Sequence, residues 1–153
     1  MADQVSRQEI QSAIDENREH FHSFNLQLGY VDGQHLSRGP SDYRKELMQG
    51  ARLPHFWLEE RGQAISTLDL VDALSFVLVC DSTFTDLSWL IISNVSVTIK
   101  RSSQDFNDRV GAWTKYLESL AVRAVLVRPD QHIVDRVSRV EDVEKTLRAY
   151  LSS

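Results

Sequence analysis

Two uninterrupted apolar runs set the frame for this chain: Phe76-Val77-Leu78-Val79-Cys80 and Ala124-Val125-Leu126-Val127. A strand with one wet face alternates apolar and polar residues, so a strand that is apolar at every position must be covered on both sides. These runs call for a sheet with helices packed against it. The segments around them fit that plan. Phe84, Leu87 and Ile91 share one side at helical spacing, which predicts a helix from Thr83 to about Ser93. Val95, Val97 and Ile99 alternate with Ser96, Thr98 and Lys100, the pattern of a half-wet strand. Phe106, Val110, Trp113, Leu117 and Leu120 predict a second helix, with Gly111 inside it at a cost of roughly 1 kcal/mol against Ala.

After the second run, Arg128-Pro129-Asp130-Gln131 reads as a turn and His132–Arg136 as a short strand. Ser138 and Glu141 have capping-box spacing, and Val140, Val143, Leu147 and Leu151 give a final helix its apolar side. Upstream, Phe56-Trp57-Leu58 is a strand candidate ended by Glu60-Arg61-Gly62. The fold class expected is α/β and thioredoxin-like, a central mixed sheet flanked by helices with a closing hairpin backed by a helix.

The N-terminal part reads differently. Ser6 and Glu9 form another capping box before Ile10, Ala13, Ile14 and Phe21, which predicts a helix over about 7–23. Leu28-Gly29-Tyr30-Val31 reads as extended. Residues 32–51 hold Gly33, Gly39-Pro40 and Gly50 with few apolar positions, a linker or surface loop. The expected organisation is a helix and extended segment over 1–31, a connection over 32–51, and the main domain over 52–153.

Composition narrows the function classes. A net charge of −5 over 153 residues disfavours nucleic acid, since Lys100-Arg101 is only a pair. The apolar stretch Trp89–Ile92 is far shorter than the ~20 residues that span a bilayer. The polar start Met1-Ala2-Asp3-Gln4 lacks the plan of a secretory signal, so no membrane and a cytoplasmic setting are expected. The one cysteine, Cys80, cannot make an internal disulfide or a Cys-x-x-Cys redox pair, and it reads as a buried structural thiol.

Four segments carry a family resemblance. Leu26-Gln27-Leu28-Gly29-Tyr30, Gly50-Ala51-Arg52-Leu53-Pro54-His55-Phe56-Trp57-Leu58, Ser66-Thr67-Leu68-Asp69-Leu70 and Leu126-Val127-Arg128-Pro129-Asp130-Gln131-His132-Ile133-Val134 stand in order along the chain. They resemble segments of the FAD-dependent phenol and aromatic-polyketide hydroxylases, the class A flavin monooxygenases. The resemblance implies that residues from about 50 onward form that family's thioredoxin-like C-terminal domain, and that residues 1–31 match the tail of the region before it. It also implies a mainly structural role for the motif residues Arg52, Pro54, His55, Trp57, Ser66, Asp69, Arg128, Pro129, Asp130 and His132. Gln131 departs from a turn glycine, and Asp135 from a Trp common before Arg136.

The family's FAD-cradling Gly-x-Gly-x-x-Gly turn does not occur. No cofactor is expected on the chain itself, with FAD and NAD(P)H reached only through a partner, and no autonomous hydroxylation. Arg52, His55 and Asp69 are the weak catalytic candidates, able to form a charged cluster with Arg128 and Asp130. Ion pairing that fixes a loop is the commoner use of such residues. His20, His22, His35, His55 and His132 show no metal-site spacing, and Glu16 with His20 supplies too few ligands. Trp57, Trp89 and Trp113 could line a pocket for an aromatic molecule, though core packing is their more frequent use. No Gly-x-Ser-x-Gly elbow supports a hydrolase. The function expected is a non-redox accessory or dimerisation module, a homodimer or a partner of a flavin monooxygenase in aromatic or polyketide metabolism. The alternative is a small cofactor-free isomerase or cyclase acting on an aromatic or polyketide-type metabolite.

Overall fold

The computed structural model describes residues 7–21, 25, 28–32, 39, 42–84 and 89–153. Contacts divide the chain into two units, residues 1–44 and 45–153.

In the first unit, helix α1 spans Arg7–Phe21, as the spacing of Ile10, Ala13 and Ile14 predicts. Ile10 and Ile14 are about half exposed. Ser6 and the side chains of Glu16 and His20 lie outside the described residues. Leu28 is helical rather than extended, and the Gly29 N–H donates to the Asn25 carbonyl in a helix-type bond.

The second unit opens with a hairpin, β1 (Trp57–Glu60) and β2 (Gln63–Ser66), in antiparallel register. Its two-residue turn, Arg61-Gly62, has positive φ at both positions (51° and 83°), the type I′ geometry that suits the right-handed twist of paired strands. A 3-10 turn over Thr67–Leu70 follows. The main sheet then forms from β3 (Phe76–Cys80), β4 (Trp89–Ile92), β5 (Val95–Arg101), β6 (Ala124–Val127) and β7 (Ile133–Val137), with helix α2 (Ala112–Ser119) before β6 and helix α3 (Val140–Leu151) after β7.

The strand order is β4-β5-β3-β6-β7. β3 and β5 run parallel, and every other pair is antiparallel. This is the thioredoxin-like mixed sheet expected, with both continuous apolar runs in adjacent central positions. Leu78, Val97, Ile99, Ala124 and Leu126 pack with Val143 and Leu147 of α3. Alternation turns Val77, Val79, Val125 and Val127 to the other face, and all four are fully buried. Trp113 and Leu117 of helix α2 are also buried, outside the cluster beneath α3. Each such side chain contributes about 1.5–3 kcal/mol on burial, so these two layers hold the unit together.

Three local expectations are corrected. The helix predicted over 83–93 fails at its C-terminal half, because Trp89–Ile92 is the edge strand β4, paired with β5; residues 85–88 lie outside the described residues. Gly111 is not inside a helix. It sits in the left-handed region at the N-cap of α2 (φ 66°), and Val110 is largely exposed. The Ser138–Glu141 capping box does not form, since α3 starts after Arg139 with no side-chain cap.

Candidate functional site

The second, third and fourth motif segments meet on one side of the second unit. Residues 50–53 run beside 131–133 as an added extended segment. The Gly50 N–H donates to the Ile133 carbonyl (2.9 Å), the Ile133 N–H to Ala51 (2.8 Å) and the Leu53 N–H to Gln131 (2.8 Å). Arg52 and His132 thereby form a bridge pair. The β6–β7 connection is a type I turn, with the Gln131 N–H donating to the Arg128 carbonyl at 3.0 Å. Gln131 then takes a positive φ of 71°, which explains why glycine suits this place. β7 carries a bulge, as its register steps from Ile133 to Asp135 opposite Val127 and Leu126. The hairpin survives both departures from the family pattern.

The polar motif residues spend themselves locally. Arg52 donates from Nη2 to the Gln131 side-chain oxygen at 2.7 Å, not to a carboxylate. Arg128 is held by Asp130, whose carboxyl also accepts the His132 N–H (3.2 Å). The Arg128 guanidinium and the His132 amide hold the Asp130 carboxyl below its usual range. Ser66 caps the 3-10 turn. Its Oγ accepts from the Leu68 N–H, while Asp69 accepts the Ser66 N–H at 2.7 Å, a complete capping box. His55 Nδ1 lies 2.7 Å from the same Oγ, with donor and acceptor set by the tautomer. Pro54 offers its carbonyl to the Thr67 hydroxyl (2.6 Å). Arg52, His55 and Asp69 make no direct contact with one another among the described residues; they bond to the Gln131 side chain, the Ser66 hydroxyl and the Ser66 N–H.

Thr67 and Gln131, which carry no chemical signature in the sequence, join the segments. Thr67 is fully buried and links Pro54 to Phe56; Gln131 links Arg52 to the Leu68 carbonyl (3.4 Å). Their position inside the quoted motifs was the only signal that could have marked them.

Trp57 stands apart. It begins β1 at 64% exposure, with its ring edge-on to His55 at 4.8 Å. It shares a shallow apolar hollow of about 260 Å³ with Leu58, Ala64 and Val110, and Val110 is 72% exposed. Arg109 and Glu59 form an ion pair on its border. Of the three tryptophans only Trp113 is core; Trp89 is exposed on β4.

Cys80 is fully buried. Burial and the neighbouring Asp81 push its thiol up to about 12, which leaves no thiolate near neutral pH. A cleft of about 520 Å³ opens beside it, but Arg52, His55 and Asp69 do not line that cleft. Among the described residues, Arg52, His55 and Asp69 do not form an acid–base set at a cleft. The turn after β3, Asp81-Ser82-Thr83, has no glycine to allow the close backbone approach that a pyrophosphate needs, so that turn gives FAD no cradle. Among the described residues no helix is long and apolar enough to cross a membrane.

Comparison with known proteins places these features. A family model described as aromatic-ring hydroxylase, C-terminal, matches residues 46–153. Phenol 2-monooxygenase of Pseudomonas sp. (strain EST1001) is 26% identical over 166 residues, covering 95% of this chain and 27% of that protein. Among solved structures, the flavin-dependent monooxygenase PieE in complex with FAD and substrate aligns over 95% of this chain and 30% of its own, at 24% identity and a TM-score of 0.66. Aklavinone-11 hydroxylase, in a ternary complex with FAD and aklavinone, aligns over 80% of this chain and 24% of its own, at 20% identity and a TM-score of 0.56. These likenesses show the fold. The chain spans about a quarter of the length of the curated relative it matches.

Proposed function

The chain belongs to the aromatic-ring hydroxylase C-terminal family, and from that footing we propose that it is a non-redox accessory module that docks on the flavin-bearing part of an aromatic hydroxylase. FAD and NAD(P)H are supplied by that partner, and this chain binds neither. The carrying observation is the contrast within the motif set: the polar residues are consumed in fixing backbone, while Trp57 is left two-thirds exposed beside Val110. A large exposed aromatic set in a rigid hairpin is the usual anchor of a protein interface. The proposed occupant is the catalytic body of a flavin monooxygenase, because relatives of this chain carry roughly three-quarters more of their length beyond the matched part.

The test is co-elution of the purified chain with a flavin monooxygenase of this family on size exclusion, followed by titration calorimetry. Trp57→Ala should weaken association at least about tenfold, the scale of an interface anchor, with little change in thermal stability. A monodisperse chain that never co-elutes, or binding indifferent to Trp57, would refute the reading. Self-association through the same face would appear as a Trp57-dependent dimer and would replace the flavoprotein partner with a second copy.

A further inference from the structure

We propose that two copies of this chain pair through strand β4, edge to edge, so that their main sheets join into one. The first argument is the edge itself. The sheet ends on β4 at one side and on β7 at the other. The start of β7 is taken by residues 50–53, whose backbone bonds to 131–133, and the strand goes on through the charged pair Asp135-Arg136. Coverage and charge are the usual means of blunting an edge, because an unpaired row of N–H and C=O groups is a template for another strand. β4 has neither. Trp89-Leu90-Ile91-Ile92 holds no charge and no proline, its register with β5 has no bulge, and no charged residue occurs from Leu87 to Ile99.

The second argument is which backbone groups the edge leaves open. Ser93 and Asn94 both have positive φ (51° and 65°), a type I′ turn that closes on the Ile92–Val95 pair. Hydrogen-bonded and non-hydrogen-bonded pairs alternate along an antiparallel ladder. Ile92 and Leu90 therefore spend their backbone groups on β5, while Trp89 and Ile91 turn theirs out of the sheet. Neither makes a backbone bond to any segment beyond the sheet among the described residues. These outward groups flank Leu90 evenly. A second copy, related by a two-fold axis at Leu90, sets its Ile91 opposite Trp89 and its Trp89 opposite Ile91. Both are hydrogen-bonded pairs in this register, so every outward donor of β4 meets an acceptor.

The third argument selects a second copy as the occupant. Trp89 and Ile91 are 62% and 65% exposed and share one face of β4; Ile92 is buried on the other, beneath α3. The two-fold axis stands perpendicular to the joined sheet, so like faces meet. Each Trp89 then lies beside an Ile91 across the junction, an aromatic against a β-branched side chain, which is a stabilising cross-strand pair. The contact is isologous and needs nothing that the chain does not already carry. No like charges face each other across it, since the strand has none. A strand of four residues buries little area, so the dimer belongs with weak, reversible contacts. The pairing uses neither Trp57 nor a flavoprotein.

The test is sedimentation equilibrium of the full chain over a concentration series, with a register check by cross-linking. The expected result is a monomer–dimer equilibrium with dissociation of micromolar order. Ile91→Lys, at an exposed position, should weaken it at least about tenfold, and Trp57→Ala should leave it unchanged. In the register given, Leu90 faces Leu90 of the second copy as a non-hydrogen-bonded pair, about 4.5 Å between Cα atoms. Leu90→Cys should therefore form an intermolecular disulfide on mild oxidation, while Trp89→Cys, two residues out of step with its own copy, should not. Cys80 is fully buried and does not compete. The cysteine pair decides the matter even where Ile91→Lys disturbs folding. A monomer at every concentration, a dimer lost in Trp57→Ala, or equal cross-linking of the two cysteine variants would each overturn the proposal. So would protection of the Trp89 and Ile91 amides from exchange only when a flavin monooxygenase is added, which would give the edge to that partner. Flavoprotein docking is read separately by co-elution and Trp57, so either result can fail while the other stands.

Discussion

Thr67 is fully buried, and its hydroxyl donates to the Pro54 carbonyl at 2.6 Å while accepting the Phe56 N–H at 3.1 Å. Replacing it by the near-isosteric Val leaves the buried Pro54 carbonyl and the partly buried Phe56 N–H without that partner. An unsatisfied buried polar group costs about 1–3 kcal/mol, so Thr67→Val should lose at least about 1 kcal/mol in urea denaturation. A loss below about 0.5 kcal/mol would mean that other groups already satisfy these two. Asp130 makes a different kind of prediction. The Arg128 hydrogen bond, with the His132 amide, depresses its folded carboxyl, so the ionised form favours folding. That contribution is complete above the unfolded carboxyl value of about 3.9 and is lost as pH falls through the depressed folded value. Because the Asp130 side chain is half exposed, solvent screening keeps it small. The stability difference between the native chain and Asp130→Asn should be constant near neutrality and shrink below about pH 4. A difference that persists undiminished at lower pH would separate it from this titration. The sequence made the polar motif residues visible, but not their partners. Arg52 and Gln131 are 79 positions apart, and a pairing over such a distance leaves no local pattern.

The elements were legible where period and composition agreed, as in β3, β5, β6, α1 and α3. They were misread where a short apolar run fits two periods. Trp89-Leu90-Ile91-Ile92 can be taken as the end of a helix begun at Phe84, yet its β-branched pair and the Ser93-Asn94 turn, both at positive φ, make it the first arm of a hairpin with β5. The apolar spacing starts helix α2 too early for a similar reason. Phe106 keeps step with Trp113 and Leu117, but it is buried from an isolated bridge, and the chain turns at Asp108 before winding up. The Asp108 carboxyl accepts the Ala112 N–H at 3.2 Å and the Thr114 N–H at 2.8 Å, so it serves the free amides of the first turn. Asp108→Ala should cost about 1 kcal/mol, the usual worth of such a cap, read from chemical denaturation. Asp108→Asn, which keeps an acceptor oxygen, should recover most of it. Equal losses in both variants would point to charge rather than capping as the contribution.

At the scale of the molecule, the division after Arg44 and the family match from residue 46 describe nearly the same body. The buried cluster beneath α3 draws its members from Leu78 to Leu147, all inside that body. Its five-stranded sheet has covered central strands, and the hydrogen bonds that tie 50–53 to 131–133 begin at Gly50. A body that contains its own two-layered core and closes its own backbone bonds meets the conditions for folding alone. Residues 45–153 expressed without the preceding segment should therefore unfold in one cooperative transition by both near-UV circular dichroism and far-UV circular dichroism. The near-UV bands of buried Trp113 should survive the truncation, since its ring neighbours Phe56 and Tyr116 are retained. Coincident transitions would place folding in the second unit and leave residues 1–44 free to serve docking or connection. Far-UV signal without near-UV signal, or exposed apolar surface that binds dye, would show instead that the sheet depends on the N-terminal segment, and the module could not then be treated as a unit defined by its own core.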